Sequence, residues 1–319
     1  MDIAFAPLEG ITTYIYRRSH AKFFGGCGRY FAPFMVACQK SGFKAHEIKG
    51  LLPENNDGLV LIPQLLGNDA ESFVFASRQI AELGYGEINI NLGCPSGTVV
   101  SKRRGSGLLA YPEELERFLE GVFAGVKVKI SVKTRLGLEN PEEFYKILEI
   151  YNKFPIEELI IHPRVRRDMY KNTPNLEMFG HAVQQSANPL CYNGDIFTVS
   201  DFEGICAKFS RLDSLMLGRG AVANPALPRM INGGKVLELE EFKAFHDEIY
   251  ENYRAEYSGD RNVMHRMKEL WFYMGSLFAQ SRRQIKRINK CLYCSDYDGA
   301  VAAIYRECEF LGGGGFQTP

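Results

Sequence analysis

Polar residues in the first 220 positions of this 319-residue sequence fall at the ends of short apolar runs. In chain order these ends read Pro7-Leu8-Glu9, Gln64, Asn91 to Cys94, Lys133 with Arg135, His162, Asn193-Gly194-Asp195 and Gly218-Arg219. Taken singly, each has an ordinary structural use: a core amide, a satisfied histidine, a turn built from turn-forming residues. A thiol, a lysine, an imidazole, amides and a glycine-flanked arginine arriving at the same end of successive runs are what a single shared pocket would leave in a sequence. The runs themselves read as apolar up to those points.

Two glycine clusters resemble a dinucleotide fingerprint. Gly105-Ser106-Gly107 follows a basic loop instead of a strand, which argues against it. Gly218-Arg219-Gly220 does follow an apolar run, but Pro225, Pro228 and Gly233-Gly234 leave little room for the helix such a unit needs. A phosphate cup at a strand end, closed by a short helix, suits these glycines better. Cys291 and Cys294 have redox or metal spacing but no second pair at a zinc-like distance, so we read them as part of a helical region and expect no metal.

The elements that must position these groups alternate in type. Strand candidates are Ile3–Ala6, Tyr30–Val36, Leu59–Leu66, Glu87–Asn91, Lys127–Thr134, Glu158–His162, Pro189–Asn193 and Ser214–Leu217. Several are near-continuous apolar, as parallel strands covered on both faces should be. Between them, Asn68 with Glu71 looks like a capping box, Pro112 opens a second helix, and Asn140-Pro141 with Glu143 opens a third. Eight strand–helix units in about 230 residues match a (β/α)8 TIM barrel better than a doubly wound open sheet. The expected organisation is a barrel over 1–237, a small all-helical domain over 238–311, and a flexible glycine-rich tail over 312–319.

Acidic and basic residues balance at 38 each, so net charge points to no polyanionic partner. Local charge does. Between Arg261 and Lys290, eight basic residues face Glu269 alone, a local charge of +7. No stretch nears the roughly 18 apolar residues of a membrane span, and no secretory start is visible, so a cytoplasmic location with reduced thiols is expected. No obligate protein partner is called for.

These motifs resemble the tRNA-dihydrouridine synthase family. Ala6-Pro7-Leu8-Glu9-Gly10 is similar to its opening motif, Asn91-Leu92-Gly93-Cys94-Pro95 to its most distinctive signature, and Lys102 to Leu109 to the basic glycine-rich loop after it. Val132-Lys133-Thr134-Arg135, Asn193-Gly194-Asp195-Ile196 and Gly218-Arg219-Gly220 complete the set in order. Leu8 replaces a more usual methionine, a volume-conserving change. The resemblance implies FMN, NADPH or NADH as reductant, and reduction of the 5,6 double bond of a uridine in tRNA.

Carried over residue by residue, it implies that Pro7, Leu8 and Glu9 line the flavin, with Gln64 and Lys133 on its pyrimidine edge and His162 in contact with it. Asn193, Gly194 and Asp195 would hold the ribityl and phosphate region, and Gly218 and Arg219 the phosphate. Cys94 would be the general acid, since a thiol near the ordinary ~8.5 is mostly protonated at neutral pH. A stacked uracil must be drawn out of the RNA, so Asn91, Lys102, Arg104, Arg164 and Arg166 are expected at the base or nearby phosphates, with Arg282, Arg283, Lys286 and Arg287 holding the RNA body. The alternatives are an FMN-dependent dehydrogenase of a small dihydropyrimidine or dihydroorotate, which does not need the basic helices, and an RNA-binding barrel without catalysis.

Overall fold

A computed structural model describes residues 1–38, 42–313 and 315–316 and divides the chain into two compact units. The first comprises Met1–Pro7, Arg29–Gly194 and Cys206–Met216, and the second Leu8–Gly28, Asp195–Ile205 and Leu217–Pro319. Of the tail expected at 312–319, Gly314 and residues 317–319 lie outside the described residues.

Among the described residues the sheet has ten strand segments. They are β1 (Asp2–Phe5), β2 (Arg29–Phe31), β3 (Met35–Val36), β4 (Leu61–Ile62), β5 (Gln64–Leu66), β6 (Glu87–Leu92), β7 (Lys129–Arg135), β8 (Leu159–His162), β9 (Leu190–Tyr192) and β10 (Ser214–Leu217). β2 pairs in parallel with β4 and β3 with β5, so β2 and β3 are one stave in two stretches and β4 and β5 are its neighbour, likewise in two stretches. Pro33 and Pro63 fall in the gaps, where a residue without an N–H interrupts the ladder. Counted this way, eight parallel staves run in sequence order and β10 returns to β1. The sheet is closed, a (β/α)8 barrel, and each apolar run read from the sequence supplies one stave.

Helices of the first unit start where local chemistry satisfies their free N–H groups. Ala70–Glu82 is capped by Asp69, whose carboxylate accepts from the Ser72 N–H at 2.9 Å. The expected cap, Asn68, is instead turned to the Lys102 carbonyl and the Arg104 guanidinium. Pro112 opens Pro112–Gly125, which buries Leu115, Phe118, Leu119 and Val122. Ahead of Glu143–Tyr151, the Glu143 carboxylate gathers the N–H groups of Leu138, Glu139 and Asn140.

One expectation fails inside the barrel. Polar residues are not confined to strand ends. β6 alternates Glu87, Asn89, Asn91 with Ile88, Ile90, Leu92, and β7 alternates Ser131, Lys133, Arg135 with Ile130, Val132, Thr134. The register sets Asn89 beside Ser131 and Asn91 beside Lys133, so the polar set shares one face. That face is the lumen. Arg29 of β2 reaches Asp2 at 2.6 Å and Glu158, just before β8, at 2.9 Å, and β2 and β8 are too far apart in sheet order to meet except across the interior. Ser214 donates to the same Glu158 at 2.6 Å. Burial raises Glu87 above its ordinary value, against the opposing pull of Ser131 and Arg29.

The second unit is helical. Tyr14–Phe23, Leu239–Glu256, Asp260–Met274, Arg282–Ile288 and Cys294–Glu307 are its longer pieces. Phe245 stands edge-on to Tyr16 and Phe24, while Trp271 packs near Phe242 and Phe278. Phe316, 8% exposed, lies against Phe197, Phe272 and Tyr273.

Candidate active site

An unbroken amide relay lines the wall of the first unit's lumen across three adjacent strands. Asn89 Nδ2 donates to Ser131 Oγ at 2.9 Å, Gln64 Nε2 to Asn89 Oδ1 at 2.7 Å, and Asn91 Nδ2 to Gln64 Oε1 at 2.8 Å. Asn91 Oδ1 then accepts the backbone N–H groups of Gly93 and Cys94 at 3.1 and 2.9 Å. The relay therefore ends on the turn that carries the thiol. Ser106 holds that turn from the other side, donating its N–H and hydroxyl to the Cys94 carbonyl. Gly105 makes this clasp feasible: its φ is +54°, and a Cβ there would lie 2.9 Å from the Cys94 carbonyl oxygen.

Lys133 stands next to Asn91 in register, half-buried, and makes no hydrogen bond or ion pair among the described residues. Burial, with the Arg135 guanidinium adding to it, brings its ammonium down to about 8, and the nearest thiols, Cys191 and Cys94, oppose that fall. Cys191 itself is pushed well up by burial.

Arg135, at the end of β7, is an internal support. It is 1% exposed and ties three carbonyls together: Nε to Gly93, Nη1 to Val165 and Nη2 to Met169, at 3.0 to 3.1 Å. The loops after β6 and β8 are thereby locked, and the guanidinium also lies over the Tyr170 ring. His162, 7% exposed, has Nε2 3.1 Å from Arg164 Nη1. An arginine only donates, so Nε2 accepts and the imidazole carries its proton on Nδ1. Asn193 donates to the Met216 carbonyl at 2.7 Å, and the Gly194 backbone passes so near the Tyr192 hydroxyl that no side chain fits.

The expected RNA contacts separate into two kinds. Asn91 is spent on the relay, and Arg164, 2% exposed, is spent on His162 and the Asn172 carbonyl, so both are internal supports. Lys102 is exposed, Arg104 bonds Asn68, and Arg166 is half-buried with Nε donating to the Pro95 carbonyl at 3.3 Å, beside the cysteine turn. Pro7 ends the first segment of the first unit and is half-buried.

In the second unit, Leu8 begins a tight turn in which its carbonyl accepts from Ile11 and Thr12, and Glu9 is exposed. Gly218 precedes the short helix Arg219–Ala223, and Arg219 pairs with Asp195 at 2.5 Å while lying over the Phe197 ring. A Cβ at Gly220 would collide with the Ile196 carbonyl, which explains the second glycine by close packing. Arg282, Arg283, Lys286 and Arg287 are exposed, have no ion pair among the described residues, and line a groove of about 760 Å3 with Gln280 and Lys290. Arg266, counted in the same +7 stretch, instead turns inward to the Gly10 carbonyl. Cys291 donates to the Arg287 carbonyl, and no group of residues suited to a metal occurs among those described. No described helix is long and apolar enough to cross a membrane.

Asn89, Ser131 and Arg135 are the residues that the reading from sequence left without a role. The signal for the first two was the strict alternation in Glu87–Leu92 and Lys129–Arg135, which marks a strand with one polar face.

A closed parallel barrel with a polar lumen, followed by helices, defines the class. Two solved structures share the fold: morphinone reductase (TM-score 0.52, 13% identity, 76% of this chain and 88% of that one) and histamine dehydrogenase from a Rhizobium species (TM-score 0.57, 12% identity, 86% and 51%). The chain belongs to the dihydrouridine synthase (Dus) family, whose model matches residues 4–294. It is 28% identical to tRNA-dihydrouridine(16) synthase of Pseudomonas putida, over 97% of this chain and 99% of that one. It is also 29% identical to tRNA-dihydrouridine synthase B of Pasteurella multocida, over 72% and 68%. The reaction that goes with this family is formation of dihydrouridine in tRNA, and a flavin is the cofactor class it implies.

Proposed function

We propose that the chain reduces uridine in tRNA with FMN held at the C-terminal end of the first unit's lumen, Cys94 as proton donor, and NADPH or NADH as the electron source. The observation that carries this reading is Lys133: a half-buried ammonium beside the cysteine turn that no carboxylate among the described residues pairs with. Such a cation is matched to the electron-rich edge of a ring cofactor and would stabilise charge gained on reduction. Gln64 supports the same fit, since the relay uses one N–H and one lone pair and leaves the others to a ligand. His162, Asn193, Gly194 and Pro7 complete the set in this unit. In the second unit, Arg219 oriented by Asp195, with Gly218 beside it, is our candidate for gripping a phosphate.

A flavin supplies the hydride that uracil needs at C6. The chain must supply the proton at C5, and Cys94 is the group we assign to it. Asn91 fixes the N–H side of its turn and Ser106 the carbonyl side, so the thiol is presented from a rigid support. Lys102, Arg104 and Arg166 are assigned to RNA near the extracted base, and Arg282, Arg283, Lys286 and Arg287 to the RNA body, with residues 238–311 as the domain that carries them.

Replacing Cys94 separates the half-reactions. Cys94→Ala is expected to keep its visible flavin absorbance and its bleaching by NADPH, while dihydrouridine formation falls about 10²- to 10⁴-fold, the usual worth of a general acid. Loss of the flavin spectrum, or product at the unaltered rate, would remove the thiol from this role.

A further inference from the structure

The turn that follows β1 is held from a distance. Within it, the Leu8 N–H donates to the Thr12 hydroxyl at 2.9 Å, and the Leu8 carbonyl accepts the N–H groups of Ile11 and Thr12 at 3.0 Å. Arg17 Nη1 donates to the Thr12 carbonyl at 2.8 Å. Gly10 makes the reversal possible with a φ of +78°, where a side chain would be strained. The Gly10 carbonyl is claimed by a residue 256 positions away: Arg266 Nη1 donates to it at 2.9 Å.

Arg266 is built in as a clamp. It is half-buried on the helix Asp260–Met274, with Glu269 Oε2 3.5 Å from the same Nη1 and the Tyr257 ring centre 5.7 Å from its guanidinium carbon. A Cβ at Gly10 would stand 3.1 Å from Nη1 and 3.3 Å from the Glu269 carboxylate, so the glycine also makes room for the guanidinium. The Thr13 hydroxyl lies 2.9 Å from the hydroxyl of Tyr253, which is fully buried on Leu239–Glu256. Two helices of the second unit therefore grip one turn, Tyr253 through a side chain and Arg266 through the backbone. A charged donor on a carbonyl is among the stronger hydrogen bonds, and this one fixes the peptide plane that follows Gly10.

We propose that Arg266 is a positioning residue: its hold on the Gly10 carbonyl sets where Leu8 and Glu9 present themselves to the flavin. Its charge is thereby spent within the chain, although it belongs to the basic stretch 261–290 that is assigned in part to RNA. The inference rests on the reading that the loop after β1 borders the flavin, since loops after barrel strands are where this fold carries its chemistry.

FMN titrated into the flavin-free full chain by fluorescence, and tRNA into the flavin-loaded chain across a salt series, test the proposal. Arg266→Met, which keeps the length and removes the donors, is expected to bind FMN about tenfold more weakly, the worth of one charge-assisted hydrogen bond. Its tRNA affinity and salt slope should match the unaltered chain, because no phosphate contact is lost. Arg266→Lys retains a donor and should recover most of the FMN affinity. Tyr253→Phe removes the Thr13 tie and should lower the thermal midpoint while leaving FMN affinity within about twofold. Leu8→Ala tests the reading underneath, and should weaken FMN binding by itself. Unchanged FMN affinity in Arg266→Met beside weakened binding in Leu8→Ala would overturn the clamp alone, and unchanged affinity in both would remove this loop from the flavin site. An equal loss in Arg266→Lys, or a shallower tRNA salt slope in Arg266→Met, would also overturn the proposal.

Discussion

The two ends of the barrel lumen hold comparable charge and treat it in opposite ways. At the N-terminal end, Arg29 is clamped between Asp2 and Glu158, and Ser214 completes the cluster. Toward the C-terminal end, Lys133 is half-buried with no ion pair among the described residues, while the amides around it are ordered by one another. A barrel that satisfies its charges at one end can do so at the other. The end with the uncompensated ammonium is our candidate for receiving an outside group, whereas at the other end the charges pair within the chain, although Glu87 Oε1 and Glu158 Oε2 are left without a hydrogen bond there.

Arg29→Met gives the largest expected effect on stability. It leaves Glu158 and Asp2 without their cation, which should cost about 3–5 kcal/mol in chemical denaturation while bound flavin in the folded fraction is unchanged. Equal stability would mean that the clamp contributes nothing. Asn91→Ala cuts the relay where it meets the cysteine turn. Unfolding should be easier by about 1–3 kcal/mol, the cost of orphaning the Gly93 and Cys94 N–H groups and Gln64, and turnover should fall with flavin content retained. Unaltered turnover would show that Cys94 needs no such support. Exposed charge forms a third category. Reversing Arg282, Arg283, Lys286 and Arg287 to glutamate should leave the thermal midpoint within a few degrees, because none has an ion pair among the described residues. tRNA affinity should drop tenfold or more and depend less steeply on salt. An unchanged salt slope would take this groove out of RNA binding.

Much of this was legible in the sequence, for physical reasons. Parallel strands covered by helices must be apolar runs, so all eight staves could be read, and strand ends such as Asn91–Cys94 stood out by contrast. The alternation in Glu87–Leu92 marks a strand with one polar face, but nothing near Asn89 in the sequence says what satisfies it. The answer, Gln64 and Ser131, lies 25 and 42 residues away in sequence. Arg164 and Arg166 show the same limit. They differ by two residues and share a type, yet one is fully buried on His162 and the other only half-buried on Pro95. Nothing local encodes that choice. The cap at Asp69 was displaced from Asn68 because Arg104 and the Lys102 carbonyl claim the asparagine.

Lys133→Met is the most direct test, because it should act in the opposite sense to Arg29→Met. With Lys133 lowered to about 8 by burial, the folded chain bears the cost of charging it below that pH, and the cost fades as pH rises from about 8 toward the ordinary lysine value. Flavin-free Lys133→Met should accordingly be more stable than the unaltered chain at pH 7, with the gain shrinking above pH 8, and should bind FMN far more weakly in a fluorescence titration. A variant that binds FMN as tightly as before, or that is destabilised at pH 7, would contradict the assignment of the unsatisfied end to the cofactor.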